Sequence, residues 1–221
     1  MLKDQALAQL AAARLYGIVD LGYVRAPDAP RLAAEMLSGG VDLIQLRAKN
    51  HSLGEIEDLG RALHALTAEA QVPLIINDHP QIAATIGAEG VHVGQDDLSV
   101  AEARRSAGTD CFIGKSTHSV AQARAAAAEG AEYIGFGPLF ATPTKPDYIP
   151  IGLDDVRAVH AHVRLPIFCI GGIKLDNLAD VIAAGAQRVV IVSGLLQAAD
   201  LAEYARACKE LLIQIDRAEE E

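Results

Sequence analysis

Residues 73–97 read PLIINDHPQIAATIGAEGVHVGQDD. An apolar run over 73–76 ends in Asn77-Asp78, Pro80 begins a helical pattern, and a second apolar run, Val91-His92-Val93, ends in Gly94-Gln95-Asp96-Asp97. This is strand, helix, strand, and both strands finish in carboxylates. The same alternation continues in both directions. Strand-like runs fall at 15–20, 41–47, 73–78, 90–94, 111–116, 133–137, 166–171 and 188–193. They are nearly continuous in apolar character, as expected for parallel strands covered on both faces.

Helix signals separate them. Asp28 and Pro30 open a segment closed by Gly39-Gly40; Ser52 with Glu55, and Ser99 with Glu102, have the spacing of capping boxes. Ser119 opens an alanine-rich helix that Gly130 closes, Asp176 opens one ending at Gly185, and a last helix is predicted from Gly194 to about Ile213. Strands alternating with helices of this length call for βαβ units and a parallel sheet. Eight such units predict a single α/β domain, a (β/α)8 TIM barrel, over residues 1–216. No G-x-G-x-x-G follows the first strand, which weakens a dinucleotide-binding reading. Residues 1–17 carry Lys3 and Asp4 and no cleavage signature, so they read as a short amphipathic helix ahead of the barrel rather than a signal peptide. The acidic end, 217–221, reads as a solvated, disordered tail.

A chain of 221 residues with 51% hydrophobic content can bury a large core without staples. The three cysteines, Cys111, Cys169 and Cys208, stand far apart with no C-x-x-C, which favours buried free thiols in a reducing, cytoplasmic setting. No apolar run approaches the ~18 residues of a membrane span. A net charge of −10 argues against nucleic acid as partner, so an anionic small molecule would need local cations or a metal ion. Homo-oligomerisation stays open.

In this architecture chemistry sits at the carboxyl ends of the strands, so Asp78 and Asp97 would face one mouth. Two neighbouring carboxylates repel unless a proton or a cation lies between them, and Mg²⁺ commonly takes one or two carboxylates plus substrate phosphates. The competing reading is helix capping: Asp78 for the helix at Pro80, Asp97 for the helix after it. Gln45, Arg47 and Lys49 alternate at the end of the second strand, which sends them to one side and suits a phosphate-bearing ligand; a solvated strand end is the alternative. The fifth strand offers Ser116 and His118, against helix capping by Thr117 or Ser119 with His118 on the surface. No G-x-S-x-G elbow supports a serine hydrolase. The long loop 138–152 offers Thr142, Thr144 and Lys145 and is stiffened by four prolines. Gly171-Gly172 and Val192-Ser193-Gly194, after the last two strands, sit where such barrels bind phosphate.

Taken in order, QLRAKN, IIND, VHVGQDD, STHS, GPLFATPTK and IGGI resemble the thiamine phosphate synthase (thiamine-phosphate pyrophosphorylase) family across essentially the whole barrel. The resemblance implies a (β/α)8 transferase of thiamine biosynthesis. It would join 4-amino-2-methyl-5-hydroxymethylpyrimidine diphosphate to a thiazole phosphate and release pyrophosphate by a dissociative route. It implies Mg²⁺ on Asp78 and Asp97, and pyrophosphate contacts from Arg47, Lys49 and Lys145 with Ser116 nearby. Gln45 and Asn77 would contact the pyrimidine or its diphosphate, Thr142 and Thr144 the thiazole side, and Gly172 with Val192 and Ser193 the thiazole phosphate. Lys115 departs from the family's pattern, where a small apolar residue is more usual. Two rivals share the barrel: a thiazole tautomerase, which would lack the strand-end acids and the loop lysine, and a non-catalytic barrel that binds a phosphorylated ligand.

Overall fold

The computed structural model describes residues 1–142 and 149–219, with side chains described as far as residue 214. Eight parallel strands close into one barrel in chain order: β1 (Leu15–Asp20), β2 (Leu43–Arg47), β3 (Leu74–Asn77), β4 (Gly90–Val93), β5 (Phe112–Thr117), β6 (Tyr133–Phe136), β7 (Ile167–Cys169) and β8 (Val189–Ile191). Closure is direct, with Leu15 of β1 registered against Val189 of β8 and Asp20 of β1 against Arg47 of β2. All eight expected strands form: β1 has the expected bounds, β5 is shifted by one residue, and the others are one to three residues shorter. Parallel neighbours demand long crossovers, and the helices α2 (Ala29–Ser38), α3 (Leu53–Glu69), α4 (Pro80–Ile86), α5 (Val100–Ala107), α6 (Val120–Ala128), α7 (Val156–His162) and α8 (Leu178–Ala183) supply them, with α9 (Ser193–Leu196) and α10 (Leu201–Glu219) following the last strand.

Caps read from the sequence place several helix starts. Ser52 accepts from Glu55 N, and Ser99 from Glu102 N, each inside a complete capping box; Ser119 accepts from Gln122 N. Three expectations change. Asp28 precedes α2 without a side-chain cap and pairs with Arg25 instead. The N-cap position of α8 is Asn177 rather than Asp176, and its amide bridges backwards, accepting from Lys174 N and donating to Gly172 O. The helix expected after β8 is two helices, because Asp200 accepts from Glu203 N and starts α10 afresh. Helix α10 continues to Glu219, past the expected start of a tail, and residues 220 and 221 lie outside the described residues.

Two apolar layers hold the barrel. Outward-facing strand residues such as Val19, Ile44, Ile76, Val91 and Ile134 pack under the helices. Inside, an aromatic plug forms from Tyr16, Phe112, Tyr133 and Phe168, with ring centroids 5.5–6.1 Å apart in edge-on pairs. A Cβ at Gly114 would lie 2.0 Å from the Tyr133 ring, so glycine there is what admits this ring to the barrel axis. The N-terminal helix α1 (Lys3–Ala12) closes the bottom, placing Ala6 and Leu10 against the same plug. With the lower barrel filled and the bottom stopped, the open end is the one where the strands finish. Among the described residues no helix is long and apolar enough to cross a membrane.

Candidate active site

The mouth above the plug is a cavity of about 940 Å³, counting its open side. Its wall includes Gln45 and Arg47 from β2, Asn77 from β3, Ser116 from β5, and Gly172, Val192 and Ser193 beyond β7 and β8, with Thr142 from the loop after β6. Strand alternation accounts for this convergence: every second residue faces inward, and the inward series on β2 is Leu43, Gln45, Arg47. Thr144 and Lys145 lie outside the described residues.

Asp20 is the first residue that sequence reasoning passed over. It ends β1, is 1% exposed, and accepts from Arg47 Nη1 at 2.8 Å and from Gly22 N at 2.9 Å. Its position at a strand end was a usable signal, identical to that of Asp78. The ion pair holds the guanidinium against β1 with the rest of its donor fork available to an anion.

At the rim, Lys49 Nζ lies 2.9 Å from Asp78 Oδ2. Asp78 has φ 63°, in the left-handed region that aspartate tolerates better than most residues. Burial pushes the Asp78 carboxyl above the usual carboxylate range; Lys49 opposes that, and Asp97 adds to it through both its charge and a side-chain hydrogen bond. The two strand-end acids therefore meet. Neither caps a helix: the cap position of α4 is His79, that of α5 is Ser99, and Asp97 Oδ2 instead accepts from Gly94 N at 2.8 Å. The turn carrying Asp97 is tied down by Gln95 Nε2, which donates to the carbonyl of Ser116. Two carboxylates in contact, one of them raised by burial above the usual carboxylate range, are a pair that a divalent cation would relieve. Arg47 lines the cavity, whereas Lys49, Asp78 and Asp97 stand outside its lining, and Asp97 borders a second hollow with Gln95, Ser99 and Lys115. The donor set, two neighbouring carboxylates of hard oxygens, fits Mg²⁺ bound partly through a substrate phosphate.

His92 is the second omission. Its ring stands between Tyr133 Oη, 2.9 Å from Nδ1, and Ser116 Oγ, 2.9 Å from Nε2. A histidine breaking the apolar run Val91-His92-Val93 was the available signal. His118, by contrast, contacts the Gly137 carbonyl through Nδ1 and lines the cavity wall rather than the outer surface. Lys115, the departure from the family pattern, points away from the cavity: it faces the helices, 6% exposed, with Nζ 3.4 Å from Leu98 O.

Toward β7 and β8 the wall combines Ile170, Ile173, Val190 and Val192 with two glycines. Gly171 and Gly172 have φ 98° and 66°, and a Cβ on Gly172 would come within 2.8 Å of Ala141 O. The stems of the loop after β6 are joined by Ile151 N to Pro138 O at 2.8 Å and Gly152 N to Leu139 O at 3.2 Å. Ser193 begins α9, a helix of four residues rather than the long one expected from the sequence.

A family model described as thiamine monophosphate synthase matches residues 15–195. The chain is 42% identical over 207 residues to a thiamine-phosphate synthase of Chloroflexus aurantiacus, covering 93% of this chain and 95% of that one. It is 44% identical over 177 residues to the thiamine-phosphate synthase of Moorella thermoacetica, covering 80% and 84%. Among solved structures, thiamine phosphate pyrophosphorylase from Pyrococcus furiosus superposes with a TM-score of 0.85 at 28% identity, covering 93% of this chain and 98% of that one.

Proposed function

The chain belongs to the thiamine monophosphate synthase family and forms thiamine phosphate, and from that premise we propose how the mouth of the barrel performs the condensation. The substrates are a hydroxymethylpyrimidine diphosphate and a thiazole phosphate; the bond that breaks joins the pyrimidine methylene to the diphosphate oxygen, and the bond that forms joins that methylene to the thiazole nitrogen. The electron pair leaves with pyrophosphate and is replaced by the nitrogen lone pair. No protein nucleophile is required, and the cavity supplies what such a reaction does require: placed positive charge and positioning.

Arg47, held by Asp20, and Lys49 take the diphosphate oxygens, with the Ser116 hydroxyl donating from the opposite wall. Lys145 joins them from the loop. Gln45 and Asn77 orient the pyrimidine ring over the aromatic plug, whose faces exclude water from the electron-poor methylene. Gly172, Val192 and Ser193 receive the thiazole phosphate through close-approaching backbone, and Thr142 and Thr144 flank the thiazole ring. Asp78 and Asp97 would hold Mg²⁺, which when bound neutralises the departing diphosphate. Lys49 would then be released from Asp78 and free to turn toward the phosphate.

The observation that carries this reading is the meeting of Asp78 and Asp97 beside Lys49, just beyond the strands whose Gln45, Arg47 and Asn77 line the cavity. Mixing the two substrates with the protein, with and without Mg²⁺, tests it. Thiamine phosphate and pyrophosphate should appear together in the presence of the ion and cease on chelation. Equal rates with and without chelator would remove the assignment to Asp78 and Asp97.

A further inference from the structure

Five side chains form one continuous hydrogen-bonded row across the barrel. Gln45 Nε2 donates to Tyr16 Oη; Tyr16 Oη lies 3.2 Å from Tyr133 Oη; Tyr133 Oη lies 2.9 Å from His92 Nδ1; and His92 Nε2 lies 2.9 Å from Ser116 Oγ. The row begins and ends on residues that face substrate in the reaction proposed above, on which this inference rests. Its two phenols are buried, Tyr16 at 1% and Tyr133 at 0% exposure, while His92 is half-buried, and all three border the cavity.

Burial pushes both phenols well above their usual range, so each keeps its single proton. A hydroxyl has one proton and can accept at its lone pairs, so a buried one between two partners satisfies its proton within the row only by donating to one of them while accepting from the other. Tyr16 accepts from the Gln45 amide, so its own proton goes to Tyr133. Tyr133 must then donate to Nδ1 of His92. The neutral imidazole, with Nδ1 accepting, carries its proton on Nε2 and donates it to Ser116 Oγ. The Ser116 proton is left for the cavity, and so is the carbonyl oxygen of Gln45. Reversing any one member reverses them all and exchanges what the two ends offer.

We propose that Tyr16, Tyr133 and His92 are positioning residues forming a one-directional relay, which makes Gln45 present an acceptor and Ser116 a donor to the substrate. An acceptor at Gln45 matches an exocyclic amine on the heteroaromatic ring, and a donor at Ser116 matches a diphosphate oxygen. The opposite polarity would aim an amide donor at the ring amine and leave Ser116 without a proton for the leaving group. The relay thus ties recognition of the ring to readiness for the leaving group through three residues that need not touch the reacting atoms.

The test needs no substrate, so it stands or falls separately from the reaction assignment. Long-range ¹H–¹⁵N correlation spectra of protein labelled at the histidine rings report each tautomer, and His92 is identified by the signals lost in His92→Asn. The parent should show the Nε2–H tautomer alone. Gln45→Met, which removes the polarising donor three hydrogen bonds away, should convert His92 to a mixture of tautomers; Tyr16→Phe should do the same and serves if the first variant folds poorly. An Nδ1–H tautomer in the parent, or a His92 spectrum unchanged in both variants, would overturn the relay. Kinetics give a second reading. The losses in kcat/KM from Gln45→Ala and Ser116→Ala should be non-multiplicative in the parent and should multiply independently once Tyr133→Phe cuts the row. Independent losses already in the parent would count against it.

Discussion

Arg47 donates from Nη1 to Oδ2 of Asp20 at 2.8 Å, across the register pair that joins the ends of β1 and β2. The acid is 1% exposed at its side chain and the guanidinium 17%, so this pair is only partly repaid by water. Removing one charge of such a pair leaves the other uncompensated, which costs about 3–5 kcal/mol when both are fully buried. Asp20→Asn keeps an oxygen for Gly22 N while deleting the charge. We expect it to lower stability by about 2–3 kcal/mol, the smaller value reflecting the solvated side of Arg47. Its kcat/KM for the pyrimidine diphosphate should fall by more than tenfold as the guanidinium loses its fixed pose. Urea unfolding and steady-state rates measure the two effects; wild-type kinetics in a destabilised variant would show that Arg47 positions itself.

The contact between Asp78 and Asp97 gives a pH-dependent prediction. The folded protein raises the Asp78 pKa above that of the unfolded chain, with burial as the first cause. Below the unfolded pKa the carboxyl is neutral in both states and the fold carries no penalty. As pH rises through the folded pKa the fold must accept a poorly solvated charge, and stability is lost. At pH 8 without divalent ions, Asp78→Asn should therefore melt above the parent, by roughly 2–4 °C for each 1 kcal/mol relieved. Added Mg²⁺ should raise the parent's Tm in proportion to ligand mass action and leave the variant unmoved. The variant should make no thiamine phosphate. A parent whose Tm ignores Mg²⁺ would detach the ion from these acids.

The cysteines should be silent. Burial pushes the thiols of Cys111, Cys169 and Cys208 up to about 12 each. The thiolate is the reactive form, and at pH 8 it would amount to roughly one thiol in ten thousand. A disulfide reagent at pH 8 should leave activity intact and titrate no thiol over the course of an assay, then titrate all three once denaturant is added. Rapid modification of the folded protein would mean that one of these sites opens.

The barrel was legible because its signals are local. Apolar runs, Ser52 with Glu55, Ser99 with Glu102 and the glycine stops each declare an element without reference to the rest of the chain. The strand-end residues were legible for the same reason, since β-strand alternation puts Gln45 and Arg47 on one side whatever lies opposite. What sequence could not supply was pairing across the barrel. Asp20 and Arg47 are 27 residues apart and His92 and Ser116 are 24 apart, and nothing local marks them as partners. Tyr16 and Tyr133 fall within the expected strand runs, where nothing local marks their hydroxyls as partners. The capping alternative for Asp78 and Asp97 was undecidable for a related reason, because a carboxylate beside a helix start looks the same whether it faces the amides or another acid.

The glycine wall near β7 makes a final prediction that separates backbone strain from crowding. Gly172 has φ 66°, and an added Cβ would meet Phe140 Cβ at 2.7 Å and Ala141 O at 2.8 Å. Its carbonyl is also held by Asn177 Nδ2 at 3.0 Å, so the backbone cannot simply rotate away. Gly87, which ends α4, has a similar φ of 74°, but its nearest neighbour to an added Cβ is His64 Cε1 at 3.8 Å. Alanine at either site incurs the left-handed penalty of roughly 1–2 kcal/mol, so Gly87→Ala should be destabilised by about that much and Gly172→Ala by more, since its Cβ also overlaps Phe140 and the Ala141 carbonyl. Only Gly172→Ala should also push the chain at 140–141 away from the mouth. Its KM for the thiazole phosphate should rise about tenfold, equivalent to 1.4 kcal/mol of lost binding, with a smaller change in KM for the pyrimidine diphosphate. Gly87→Ala should keep parental values for both substrates. Equal KM changes in the two variants would mean that the backbone at Gly172 is tuned for folding alone, and the thiazole phosphate would then have to be held elsewhere on the rim.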